Sequence, residues 1–417
     1  MSVAENPQEN QPPPVAQPAS RPSWRQRLRW SASPERLSSG LGHAIYALLI
    51  IVPILSLGGY LFPPINHDVG AELDVAHRWL LGDRLYVDII DINTPMVFLL
   101  HAIPEFLAMK LGLIGAQWMM ICTIAAILAS FWACMRVLAR LPFEDHPLTR
   151  AFLPPTLIFL LAVIPNDMFA QREHLLVIAV MPYLLAATAR AKGVALSLPL
   201  RVGVALAAGI GFALKPQFIA MPIMVELYVL SCIGIRAIVR DIVPWIVAAV
   251  AVAHVGFILL VTPDYFDFLI PLVLEVYAQI GDESFFDVLT GPLIGPTLLA
   301  LVPLTGASFV LSRSKLARTI AVFAVGGVLS AVIQSKGWRY QTLPALSATL
   351  LLASVTIAGV IDRYLPHERV QQRFPVAVLT AVFMILFYYQ QALFNPPFYK
   401  QSQFDDSATA KIGRAHV

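Results

Sequence analysis

Apolar stretches recur along almost the whole chain, separated by short segments that hold Pro, Gly and most of the charge. Runs that approach the ~20 residues needed to cross a ~30 Å hydrocarbon core predict membrane-spanning helices. By hydropathy these fall at 43–62, 118–138, 152–164, 175–189, 202–214, 218–235, 242–261, 293–311, 320–333, 343–361 and 376–394. The expected fold class is therefore all-α, a polytopic membrane protein of about eleven transmembrane helices.

The loops between these runs supply a test of the count. Lys and Arg concentrate on the cytoplasmic side of membrane proteins. Arg136/Arg140/Arg150, Arg190/Lys192/Arg201, Arg236/Arg240, Arg313/Lys315/Arg318 and Arg363/Arg369/Arg373 all fall on one side, together with Arg25, Arg27, Arg29 and Arg36 of the N-terminal tail. Residues 1–42, rich in Pro, Gln, Ser and Arg, read as a disordered cytoplasmic tail. Segment 95–113 is apolar enough to span, but counting it would invert every later helix, so it is expected to lie half-inserted within an external loop, 63–116. In the same loop, 69–81 is amphipathic: Val69, Leu73, Ala76 and Leu80 share one helical face, with Glu72, Asp74 and Arg78 turned away.

Composition narrows the picture. The 417 residues are 58% hydrophobic and 13% charged, against about 25% charged in soluble domains. The net charge of +3 is scattered and forms no basic patch, so nucleic acid is not an expected partner. Cys122, Cys134 and Cys232 lie in apolar runs without metal-ligand spacing. The last seven residues, Lys411 to Val417, read as translated sequencing adapter, with an ordinary polar tail as the alternative; on the first reading 395–417 is a truncated external tail.

Acids are rare in this chain, yet the first external loop holds Asp68, Glu72, Asp74, Asp83, Asp88 and Asp91. Its sequence, NHDVGAELDVAHRWLLGDRLYVDIIDINTP over 66–95, resembles the first external loop of GT-C membrane glycosyltransferases, including those of families 39 and 83. Such loops carry an Asp, an A-x-x-L-L-x-G stretch, a Tyr-x-Asp and a Pro-led interfacial helix. Here Ala76 to Gly82 has one extra residue, and no second acid directly follows Asp68. The resemblance implies a GT-C-like transmembrane domain over 43–394. It further implies inverting transfer of a sugar from a polyprenyl-phosphate donor to a glycan, lipid or protein acceptor, at the external face of a bacterial inner membrane, with Asp68 as catalytic base. Elementary chemistry agrees, since the acceptor hydroxyl must lose a proton and the departing phosphate needs cations. Asp68 has a plainer reading as the N-cap of the 69–81 helix. Asp88 and Asp91 are candidates to position the acceptor or a divalent cation, or are simply solvated acids. His67 and His77 could orient a carboxylate or merely sit at the interface.

Cations on the external face run against the positive-inside bias and so suggest a task. Arg172, in the Asn166–His174 stretch with Asp167 as a possible metal ligand, Lys215, and Lys336, Arg339 and Tyr340 are the donor-binding candidates. The alternatives are snorkelling from helix ends for the lysines and Arg339, and local pairing with Glu173 or Asp167 for Arg172. No cofactor beyond such a cation is implied. Glu226 and His254, inside spans, keep open a transporter or flippase of a lipid-linked glycan or small solute. The acidic 263–289 loop could form an acceptor lid. Walker-type, H-E-x-x-H and G-x-S-x-G motifs are absent from the sequence.

Overall fold

The computed structural model describes residues 34–61, 65–143, 147–276, 284–291, 294–312 and 314–364. The tail before residue 34, the expected span at 376–394, the segment 395–417, and Asp282 and Glu283 lie outside them. Among the described residues the fold is all-helical, with no strand. The helices are α1 (Pro34–Ser56), α2 (His67–Leu80), α3 (Pro95–Leu111), α4 (Gly115–Leu138), α5 (Pro147–Ala162), α6 (Arg172–Ala191), α7 (Leu198–Phe212), α8 (Ala220–Ile233), α9 (Ile235–Val239), α10 (Ile242–Val261), α11 (Ile270–Glu275), α12 (Phe285–Thr290), α13 (Ile294–Ala307), α14 (Lys315–Ile333) and α15 (Leu343–Tyr364).

The first ten expected spans all coincide with helices, and the eleventh lies outside the described residues. Among the described residues, seven helical segments are long and apolar enough to cross a membrane: α4, α6, Pro216–Ile233, α10, Ile294–Ser312, α14 and Arg339–Tyr364. Three are shorter: Tyr46–Leu61, Leu148–Ala162 and Leu198–Phe212. A 15-residue α7 rises about 22 Å, less than the ~30 Å of the core. In α5 the adjacent prolines Pro154 and Pro155 lack backbone donors inside the helix. The tail boundary also moves: α1 starts at Pro34 and not after residue 42, with proline at the first helical position, where its missing N–H costs nothing.

The core is organised around α6. Every residue from Arg172 to Ala191 except Leu175 and Ala179 is buried, because α4, α7, α8, α14 and α15 all pack on it. By contrast α10 touches mainly α7 and leaves most of its apolar surface outward, as expected of a helix that faces lipid. Close approach at α14 depends on two glycines. A Cβ at Gly326 would lie 2.8 Å from the Cα of Met221 in α8, and one at Gly327 3.0 Å from the backbone nitrogen of Ala345 in α15. Small residues at such crossings are how membrane helices gain packing without a hydrophobic driving force.

The basic loops gather at one end of this bundle. Lys315 Nζ donates to Ala191 O (2.6 Å), Lys192 Nζ to Pro142 O (3.4 Å), and Arg363 Nη1 to Leu311 O (2.9 Å). Asp362 accepts from the backbone N–H groups of Leu148 and Thr149. We call this the Arg190 end and the opposite one the Asp68 end.

Candidate functional site

At the Asp68 end, α2 begins two residues earlier than its apolar periodicity predicts, and its N-cap is Asn66. The Asn66 side chain accepts from Asp68 N (2.9 Å), so the capping alternative for Asp68 is corrected and its carboxylate is left for other contacts. Asn66 Nδ2 donates to Asp167 O (2.9 Å), and Gln171 Nε2 donates to Asn66 Oδ1 (2.9 Å) and to Asp68 Oδ2 (3.1 Å). His67 Nε2 lies 3.0 Å from Asp68 Oδ1, and Arg172 Nη2 lies 3.8 Å from Oδ2. The Asp68 side chain remains 25% exposed, the only acid of this inner cluster that meets solvent to that degree while touching a buried cation.

Beneath Asp68 is a closed set of charges. Glu72 was expected to face away from the apolar side of its helix; it is buried instead. At 3.6 residues per turn it sits only about 60° from Val69, at the edge of the buried face, where it meets Arg172 and His101. Arg172 Nε is 3.0 Å from Glu72 Oε1 and His101 Nε2 is 3.1 Å from Oε2. Arg172 also donates from Nη1 to Asn93 Oδ1 and lies over the Tyr340 ring, 5.9 Å from its centroid. Lys215 Nζ donates to Glu173 Oε1 and to Gln334 Oε1 (3.3 Å), and sits 4.9 Å from the same Tyr340 ring. Two buried acids thus face two buried bases. Burial acts to raise the Glu72 pKa, but Arg172, His101 and Lys215 outweigh it and hold the carboxyl below its ordinary value. Burial draws the Lys215 ammonium below the usual lysine range, opposed by Glu173.

The elements that deliver these groups follow from local sequence. Glu72–His101 and His77–Glu105 (3.1 Å) pair α2 with α3 in the same order along both helices. The two helices therefore run side by side in one direction, and the 81–94 connection must carry the chain back. Within it Tyr86 takes a left-handed conformation (φ 67°) and its hydroxyl donates to Asn93 O (2.7 Å), fixing the residue that receives Arg172. Tyr265, beyond α10, packs edge-on against Tyr86 at 5.2 Å, which sets the start of the expected lid loop against the first loop. The turn before α6 contains Asn166 (φ 48°) and Ala170 (φ 67°), and Ser335 (φ 51°) precedes Lys336. All four left-handed non-glycine residues among the described residues thus lie in loops at the Asp68 end. Such conformations cost about 1–3 kcal/mol for most side chains and tend to cluster at functional sites. His174 holds the second turn: its Nδ1 accepts from Ala170 N (3.0 Å) and its Nε2 donates to Leu161 O (2.9 Å).

Of the candidates read from sequence, Asp68, Arg172, Lys215 and Tyr340 meet directly or through one partner. Arg339 Nη1 is 3.2 Å from Asp167 Oδ2, and the Asp167 backbone is bonded to Asn66, so Arg339 borders the same cluster from a more exposed position. Lys336 is buried at the end of α14. Asp91 joins through Asn93, whose N–H it accepts at 2.8 Å. Burial, with the Glu72 charge adding to it, raises the Asp91 pKa. Asp88 stands apart in an exposed pair with Arg84 (3.0 Å), whose hydrogen bonds lower its pKa. Among the described residues no three His, Cys, Asp or Glu side chains converge as a metal-ligand set; the carboxylate of Asp167 faces Arg339. Glu72, His101 and Asn93 carry much of the cluster without having been singled out as candidates. A histidine inside the apolar 95–113 run was the available signal.

At the other end of α6, Glu226 is gripped by Arg190 through Nη1 and Nη2 (2.7 and 2.7 Å) and accepts from Tyr183 Oη (2.7 Å). Arg190 also donates to Asp241, which accepts from Arg201 at 2.7 Å. His254 is buried, and neither ring nitrogen has a hydrogen-bond partner among the described residues.

Seven helices of spanning length and apolarity, with polar clusters at the two ends of the central one, define a multi-helix protein of membrane character. Compared with known proteins, the chain matches no family model, no curated protein and no solved structure.

Proposed function

We propose that the chain is a membrane glycosyltransferase of GT-C type, transferring a sugar from a polyprenyl-phosphate donor to an acceptor hydroxyl with inversion, at an external Asp68 end. The observation that carries this reading is Asp68 itself: a partly exposed carboxylate, oriented by Gln171 and set on the buried Arg172 cation. In the proposed step Asp68 takes the acceptor proton as the acceptor oxygen bonds to the anomeric carbon. The bond from that carbon to the phosphate oxygen breaks on the opposite face, and its electron pair leaves with the polyprenyl phosphate. Arg172 and Lys215 already face Glu72 and Glu173, so the part of Arg172 is to hold Asp68 in position. Arg339, about one-third exposed at the rim beside a half-exposed Asp167, is the candidate cation for the phosphate, through paired guanidinium donors.

The transport alternative drew on Glu226 and His254. Glu226 is committed to Arg190 and Tyr183, leaving buried His254 as its support. The discriminating experiment is Asp68→Asn assayed in membranes with polyprenyl-phosphate sugars. Transfer should fall about 10²–10⁴-fold, the usual contribution of a general base. Unchanged transfer would remove Asp68 as the base, and solute accumulation in vesicles without donor turnover would replace the enzyme reading with transport.

A further inference from the structure

A second candidate site lies at the Arg190 end. A cavity of about 280 Å³ opens between the end of α6, the start of α7 and the corner from α8 to α10. Arg190, Arg201, Arg240 and Asp241 line it together with apolar residues that include Leu196 and Ile233. Its charges do not cancel. Glu226 is held at both oxygens by Arg190; Asp241 receives Arg190 on Oδ2 and Arg201 and the Val243 N–H on Oδ1. Those two carboxylates are occupied by two arginines. Arg240 is exposed and has no hydrogen bond or ion pair among the described residues. The cavity therefore carries one guanidinium in excess, on a wall that is otherwise apolar.

The surroundings point to a membrane-derived ligand. Exposed Leu198, Ile235, Val239 and Trp245 surround this corner, and Trp245 donates its indole N–H to Val239 O at 2.9 Å. An exposed Trp with its N–H satisfied beside apolar neighbours marks the level of a membrane–water interface. The volume is near the lower limit of small-molecule pockets, ~300 Å³, enough for a headgroup whose acyl chains remain outside. Basic pockets between helices at an interface suit phosphate headgroups, and arginine binds phosphate oxygens in pairs.

We propose that this cavity binds the phosphodiester headgroup of an anionic phospholipid, with Arg240 as its principal contact and Arg201 beside it. The test uses the purified full chain in zwitterionic detergent, with thermal unfolding followed as phosphatidylglycerol, phosphatidylcholine or inorganic phosphate is added. Phosphatidylglycerol should raise Tm in a saturable way while the other two do not. Arg240→Gln, which removes no hydrogen bond or ion pair among the described residues, should weaken apparent lipid binding about fivefold, the effect of one basic residue at an anionic surface. Arg236→Gln, on the exposed face outside the cavity, should leave it unchanged. Equal stabilisation by phosphatidylcholine or by inorganic phosphate would overturn the lipid assignment. Equal losses in the two variants would overturn the cavity in favour of diffuse surface attraction.

Discussion

The two ends of α6 solve the same problem differently. At the Arg190 end one arginine is closed by two carboxylates from α8 and the start of α10, and the acids are left with nothing further to do. At the Asp68 end Arg172 and Lys215 are closed just as fully by Glu72 and Glu173, but a further acid is placed on top and kept partly open. The two arginines are 18 positions apart, about 27 Å along the helix at 1.5 Å per residue. Buried ion pairs are weak evidence for net stability, because desolvation offsets their attraction. What distinguishes the ends is therefore the leftover group: an acid at one, a free arginine at the other.

The largest effect that would break this comparison comes from Glu72→Ala. It strands Arg172 in the interior and should cost about 3–5 kcal/mol, as removal of one partner of a buried pair does. Glu226→Ala should cost less, since Glu226 is 20% exposed and Arg190 keeps Asp241. Paired unfolding curves in detergent check the order, and a greater loss for Glu226→Ala would reverse it.

Asp91 sharpens the contrast through pH. Its folded pKa is raised, so the folded state prefers it protonated. The penalty for its charge is absent below the unfolded value and grows as pH rises through the folded one. Asp91→Asn should accordingly stabilise the protein at neutral pH, with the advantage shrinking on acidification. Glu72 has the opposite sign: its folded pKa is lowered, so its stabilising contribution persists in mild acid and is lost only as pH falls through that lowered value. An Asp91→Asn advantage that grows on acidification would contradict this assignment.

The smallest expected change is the stability of Asp68→Asn. The side chain is partly exposed, Asn66 supplies the cap, and Gln171 can still donate to the amide oxygen, so unfolding should shift within ~0.5 kcal/mol. A large loss would make Asp68 a structural member of the cluster beneath it.

The helices were legible because each apolar run is long and bounded by charge, and the alternation of basic loops was enough to assign residues to an end. It could not give depth. Topology assigns Lys215 and Arg339 to the same end, yet one is largely buried against Glu173 and the other faces Asp167 at the rim. Glu72 was missed because a helical wheel puts it at the margin of the apolar face, and which side of a margin is buried depends on α3 and α6, distant in sequence. The cap was missed because Asn66 and Asp68 are equally good capping residues, and only the backbone turn distinguishes them. For α7 the expected span, 202–214, and the observed helix, Leu198–Phe212, overlap closely, but hydropathy alone does not register that so short a helix can lean on a fully buried neighbour.

The burial of α6 also bears on how the chain is made. It is the least apolar of the seven spanning segments and has charged residues at both ends, so taken singly it is among the poorest candidates to leave the translocon for lipid. Upstream partners for Arg172 exist on α2 and in the 81–94 connection, but Lys215, which meets Glu173, and Glu226 and Asp241, which meet Arg190, are synthesised only later. During translation the central helix must therefore wait, half-neutralised, beside helices already inserted, until α8 and the start of α10 emerge. The piece around which the finished bundle is organised is thus one of the last to settle.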